Sequence, residues 1–140
     1  MKLKDQATNL ELSKKLKKLG VQQNSLWYWW RFKEQLMGRK RDWFLDYCDN
    51  DFSGGKDNEC VSAFTASELG GLLPQNIESK VFLEILKGQD TWEVSYSEPV
   101  NHRLEVGYEA LTFRVPKLVD AMALMLIHLL ENKLINQMNK

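Results

Sequence analysis

Pro116-Lys-Leu-Val-Asp-Ala-Met-Ala-Leu-Met-Leu-Ile-His-Leu-Leu-Glu-Asn132 reads as one helix, apolar over most of its circumference. At roughly 100° per residue, Lys117, Asp120, His128 and Glu131 fall within an arc of about 80°. The rest is Leu, Met, Ile, Val and Ala, and Leu124 intrudes into the polar arc itself. Pro116 suits the first turn, where its missing N–H costs nothing. A helix this apolar has to be covered on several sides, by a sheet and by something more. Leu124 and Ile127 border the polar arc. Left uncovered they form a small apolar patch of the kind that marks a contact surface, so they are the candidate partner contacts. The run is broken by Asp120 and His128 and is too short for a bilayer, so no membrane insertion is expected.

Working back from this helix, alternation replaces the helical period. Thr91-Trp-Glu-Val-Ser-Tyr-Ser97 turns Trp92, Val94 and Tyr96 to one face and polar residues to the other. Val81 to Leu86 reads as a strand, with Gly88-Gln-Asp90 turning it. Leu104, Val106 and Tyr108 alternate with Glu105 and Glu109 as a further strand, which Phe113 extends. Thr65-Ala-Ser-Glu68 is a capping box that opens a short helix through Leu69, Leu72 and Leu73, and Pro74 ends it. Near the start, Thr8-Asn-Leu-Glu11 has the same pattern. It precedes Leu12, Leu16 and Leu19 at helical spacing, with Gly20 as the stop and Lys14, Lys15, Lys17 and Lys18 on the opposite side. Between these helices, Ser25-Leu-Trp-Tyr-Trp-Trp-Arg-Phe-Lys33 is a strand by its aromatic content. Trp43-Phe-Leu-Asp-Tyr47 returns antiparallel to it. Residues 48–62 are rich in Asp, Asn, Gly and Ser and are expected to form a mobile acidic loop. The sum is a single α+β domain over 1–140, a small antiparallel sheet covered by helices.

Composition narrows function without naming it. The 140 residues are 44% hydrophobic, enough for one core. Lys plus Arg and Asp plus Glu both number 19, so the whole chain shows none of the basic excess of a typical nucleic-acid binder. The charge is uneven, however: residues 31–41 are basic and residues 42–60 acidic. Cys48 and Cys60 match no zinc spacing and read as reduced thiols, which fits a cytoplasmic protein.

Three segments together carry a resemblance: Leu10-Glu-Leu-Ser-Lys-Lys-Leu-Lys-Lys-Leu-Gly20 with the aromatic strand after it, Phe64-Thr-Ala-Ser-Glu-Leu-Gly-Gly-Leu-Leu-Pro74, and Ala123-Leu-Met-Leu-Ile-His-Leu-Leu-Glu-Asn-Lys-Leu-Ile135. In this order they resemble a family of small bacterial proteins encoded in prophages and other mobile elements. The resemblance implies a phage or prophage context and a small-domain fold. It carries over no activity and no functional residue, and the acidic loop at 48–62 departs from the family's pattern in length and charge.

Candidate chemistry is sparse. Asp49-Asn-Asp-Phe-Ser-Gly54 begins like a calcium loop, but the twelfth position is Cys60 where a bidentate Glu is required, and a solvated loop is the simpler reading. His102 and His128 sit in no local nucleophile or metal motif. Asp46, Asp49 and Asp51 read as hydrated loop carboxylates. No phosphate loop, zinc motif or nucleophile elbow occurs, so no cofactor or metal is expected. The aromatic strand is the stronger hook. Trp27, Trp29, Arg31 and Lys33 share one face, and Arg39, Lys40 and Arg41 follow. Aromatic faces beside cations hold single-stranded nucleic acid, and these seven residues are the candidate contacts. The simpler reading is that both faces of that strand are covered. The expected function is a non-catalytic protein–protein interaction or assembly module, able to self-associate. The alternative is a weak nucleic-acid-binding protein using 27–41, and an enzyme whose residues converge only in the fold comes third.

Overall fold

The structure, a computed structural model, describes residues 2–32, 42–47, 58–97 and 111–135. The chain is α+β, with two small antiparallel sheets and three α-helices. A 3-10 turn (Leu3–Asp5) leads to α1 (Leu10–Lys18), β1 (Trp27–Phe32), β2 (Phe44–Tyr47), β3 (Asn58–Ala63) and α2 (Ala66–Leu72). There follow β4 (Asn76–Ile77), β5 (Val81–Lys87), β6 (Trp92–Ser97), β7 (Leu111–Val115) and α3 (Leu118–Glu131).

The first sheet has the order β2-β1-β3. β2 returns antiparallel to β1 as expected, with Trp27 opposite Tyr47 and Trp30 opposite Phe44. The loop expected over 48–62 is corrected at its end, because 58–62 belong to β3. They pair along the whole of β1, from Trp27 opposite Ala63 to Phe32 opposite Asn58. Polar composition suggested a loop, but a long-range ladder and the burial of Val61 and Ala63 outweigh it. The aromatic strand is therefore central, paired on both edges.

The second sheet has the order β4-β5-β6-β7. β6 alternates as expected, with Val94 and Tyr96 buried. Residues 104–109 lie outside the described residues. β7, which contains Phe113, pairs with β6 through Val94 opposite Phe113. β4 and β5 are joined by a tight turn in which Glu78 and Ser79 both have positive φ, 53° and 57°. Two left-handed residues in succession match the right-handed twist of a hairpin.

Both outer helices show their sequence signals, with one exchange of roles. In α2, Glu68 N–H donates to Thr65 Oγ1 at 3.2 Å and Thr65 N–H donates to Glu68 Oε2 at 2.7 Å, completing the capping box. The matching box at Thr8 does not form. Thr8 is drawn toward the chain beyond β3, where its N–H donates to Phe64 O at 2.9 Å and its hydroxyl accepts from Phe64 N–H at 3.0 Å. Asn9 caps α1 instead, accepting from Leu12 N–H at 2.9 Å.

α3 sits at the centre of the packing. It packs on β6 and β7 and also touches α1 and α2, while α1 in turn touches β3. The core cluster is built around it, with Ala121, Ala123, Met125, Leu126 and Leu129 fully buried. This is the multi-sided cover that its apolar circumference requires. Among the described residues, no helix is long and apolar enough to cross a membrane.

Candidate functional site

The expected outer face of the aromatic strand is half-buried, while Trp30 on the other face is buried. Trp27, Trp29 and Arg31 share a face of the sheet with Leu45, Glu59 and Val61 by register, and this face is turned toward α1. Trp29 Nε1 donates to Thr8 O at 2.9 Å, and Lys14 Nζ lies 5.0 Å from the centre of the Trp43 ring. Arg31 is occupied twice over. Its Nε donates to Glu59 Oε2 at 2.9 Å, and its guanidinium lies 4.8 Å from the centre of the Trp43 ring. Trp27 meets Tyr47 edge to face. On the opposite face Trp30 is buried beside Tyr28. Lys33, Arg39, Lys40 and Arg41 lie outside the described residues. Helix α1 touches β3, and Thr8 just ahead of it and Lys14 within it meet Trp29 and Trp43 on this face.

The expected contact patch on α3 is corrected at Ile127. Ile127 is 5% exposed and part of the core, and Leu124 is half-buried and packed against it. The helix keeps its polar stripe, and of the two apolar residues only Ile127 is closed over. Asp120 accepts from Asn9 N–H at 3.2 Å, and Lys117 Nζ lies 3.7 Å from it. His128 lies beside the Phe113 ring, with centroids 5.9 Å apart, and its Nδ1 is 3.3 Å from Asn132 Nδ2. Asp46 is exposed and accepts from Tyr47 N–H at 2.7 Å. Cys60 is a half-buried free thiol. Cys48, Asp49, Asp51, the calcium-like segment and His102 lie outside the described residues. Among the described residues no group of three or more His, Cys, Asp or Glu side chains is placed to hold a metal ion.

A cleft of about 600 Å³ lies between the start of α2, the start of α3 and Trp92. Two of its polar lining residues are committed within the chain. Thr65 serves the capping box, and Lys117 Nζ donates to Ala7 O at 3.1 Å and to Lys4 O.

Among the described residues, β5 carries exposed apolar groups beside an edge that is paired over only part of its length. Its register puts Leu83 and Ile85 on the face of Val94 and Tyr96, and Phe82, Glu84 and Leu86 on the other. Both sides of this strand carry exposed apolar groups: Phe82 at 42%, Ile85 at 39% and Leu86 at 50%. β4 pairs only with Val81 and Phe82, and Leu83 N–H donates to Gln75 O at 2.9 Å. Because alternate residues of a strand aim at the same edge, Ile85 and Lys87 turn their N–H and C=O groups the same way as Leu83. Among the described residues no strand runs beside 84–87 on that edge. The sequence did hold a signal for this site. Val81-Phe-Leu-Glu-Ile-Leu86 is apolar on both faces of a strand, more than one covered face can use.

In comparisons with protein-family models, curated proteins and solved structures, nothing matches this chain.

Proposed function

We propose that this chain is a non-catalytic binding module that works by protein–protein contact through β5, in the phage or prophage setting that its sequence resemblance implies. The observation that carries the reading is the trio Phe82, Ile85 and Leu86, exposed beside a strand edge that β4 leaves uncovered beyond Leu83. Fully burying a Leu, Ile or Phe side chain is worth roughly 1.5–3 kcal/mol, so even the exposed halves of three such groups make a useful anchor. A strand edge adds backbone hydrogen bonds to an extended partner. The test is a photo-crosslinking amino acid at position 86, with a second at exposed Lys15 as the control. A specific protein adduct at 86, lost when Phe82→Ser and Ile85→Ser are added, supports the reading. Equal and non-specific labelling at both positions sinks it.

The nucleic-acid reading of 27–41 has weaker support. Arg31 is already paired with Glu59, and Trp29 Nε1 already donates to Thr8 O. Its check is salt-sensitive quenching of Trp fluorescence by a single-stranded oligonucleotide.

A further inference from the structure

The outer edge of β3 is treated differently from that of β5. Alternate residues Cys60, Ser62 and Phe64 turn backbone groups away from β1, and a side chain or backbone group from residues 8–23 meets each of them. Lys17 Nζ donates to Cys60 O at 2.9 Å. Gln23 Oε1 accepts from Ser62 N–H at 2.8 Å, while its own Nε2 is held by Val21 O at 3.0 Å. Thr8 takes both groups of Phe64, its hydroxyl accepting from the N–H at 3.0 Å and its N–H donating to the carbonyl at 2.9 Å. Ala7 and Thr65 continue this as an isolated antiparallel bridge.

An unprotected edge strand is a template for pairing with another chain, and the β3 segment is suited to it. In β3, Cys60-Val-Ser-Ala63 has no charge and no proline, as segments that stack on their own copies do, and Glu59, the charge in the strand, is held by Arg31. The chain's zero formal charge adds no long-range repulsion between copies. We infer that Lys17, Gln23 and Thr8 form an edge guard, whose role is to keep β3 from pairing with β3 of a second copy of this chain. Lysine is a common device at such edges because a strand that displaces it must strip and leave a charge. Gln23 acts differently, by occupying the N–H that an incoming carbonyl needs. Thr8 stands in for a strand outright.

This guard is independent of the β5 reading, and the experiment separates them by using a Leu86→Lys background throughout. In that background Lys17→Ala with Gln23→Ala removes two of the three stoppers. The conservative pair Lys17→Arg with Gln23→Glu keeps a donor for Cys60 O and an acceptor for Ser62 N–H. Mass is read by light scattering over a wide concentration range, with circular dichroism to establish folding. The expected result is that the alanine pair moves from one chain to two or more as concentration rises, while the conservative pair stays at one. A folded alanine pair with the mass of a single chain at every concentration overturns the guard, as does equal association of the two pairs. Should the alanine pair not fold, Gln23→Ala alone is read by hydrogen exchange. Ser62 N–H should then lose protection at low concentration and regain it at high concentration, and an unchanged Ser62 rate overturns the inference.

Discussion

Ser62 shows how one atom can oppose the fold that contains it. Its hydroxyl is fully buried and is the one buried side-chain oxygen without a partner among the described residues. An unsatisfied buried polar group costs about 1–3 kcal/mol. Ser62→Ala removes the hydroxyl and leaves the backbone bond to Gln23 intact, so stability should rise by about 1 kcal/mol. The check is a higher denaturant midpoint at unchanged slope; a lower midpoint would mean that the hydroxyl has a partner. Tyr96 is the opposite case, since its hydroxyl is used. It donates to Pro74 O at 2.6 Å, and burial pushes the phenol up from 10.0 to about 12. Below the lower value both folded and unfolded chains are protonated, and the stabilisation is fully present. Between the two values the unfolded chain gives up its proton first, so stability falls as pH rises. Tyr96→Phe should cost about 1 kcal/mol at neutral pH through the lost bond. It should also flatten the alkaline limb of a stability-against-pH curve over that interval. An unaltered limb would remove Tyr96 as its source.

At the scale of elements, two helices end in the same motif with different residues. After α1, Gly20 takes φ 87° and Val21 N–H donates to Leu16 O at 3.1 Å. After α3, Lys133 takes φ 54° and Leu134 N–H donates to Leu129 O at 2.9 Å. A left-handed position suits glycine and strains any residue with a Cβ. Gly20→Ala should therefore cost about 1 kcal/mol, and Lys133→Gly should add up to about 1 kcal/mol. Thermal melts of the two variants should move in opposite directions, and parallel shifts would refute the shared motif. Elements whose partners are close in sequence could be read in advance. The Thr65–Glu68 box, the Gly20 stop and the alternation of 92–97 all rest on near neighbours. The Thr8–Glu11 box has the same pattern and failed, because Phe64 claims the Thr8 hydroxyl across 56 positions. β3 was hidden for the same reason, its order coming from β1 rather than from its own residues. At the candidate site, Arg31 was legible as a cation, but Glu59, which pairs with it, was not. Apolar residues on both faces of β5 were legible, but which of them stay exposed depends on how far β4 reaches.

At the scale of the molecule, α3 packs on the second sheet and on α1, which in turn touches β3 of the first; the two sheets form separate ladders in the described structure. Zero net charge and apolar residues in excess of one covered face suggest assembly, yet most of that excess is used internally. Leu126 is fully buried at the centre of the arrangement, whereas Leu86 is half exposed. Leu126→Ala should cost about 2–5 kcal/mol, a large part of the stability of an ordinary domain. Leu86→Lys should change stability by no more than about 0.5 kcal/mol. The tryptophans make the coupling visible: Trp27, Trp29, Trp30 and Trp43 report on the first sheet and Trp92 on the second. With fluorotryptophan in place of all five, both groups of resonances should vanish at one denaturant concentration in the wild type. In Leu126→Ala both should move together to a lower one. If Trp92 and the other four lose their folded signals at separate midpoints, the two sheets are not joined through α3, and the helix at 118–131 is a core element of the second sheet alone.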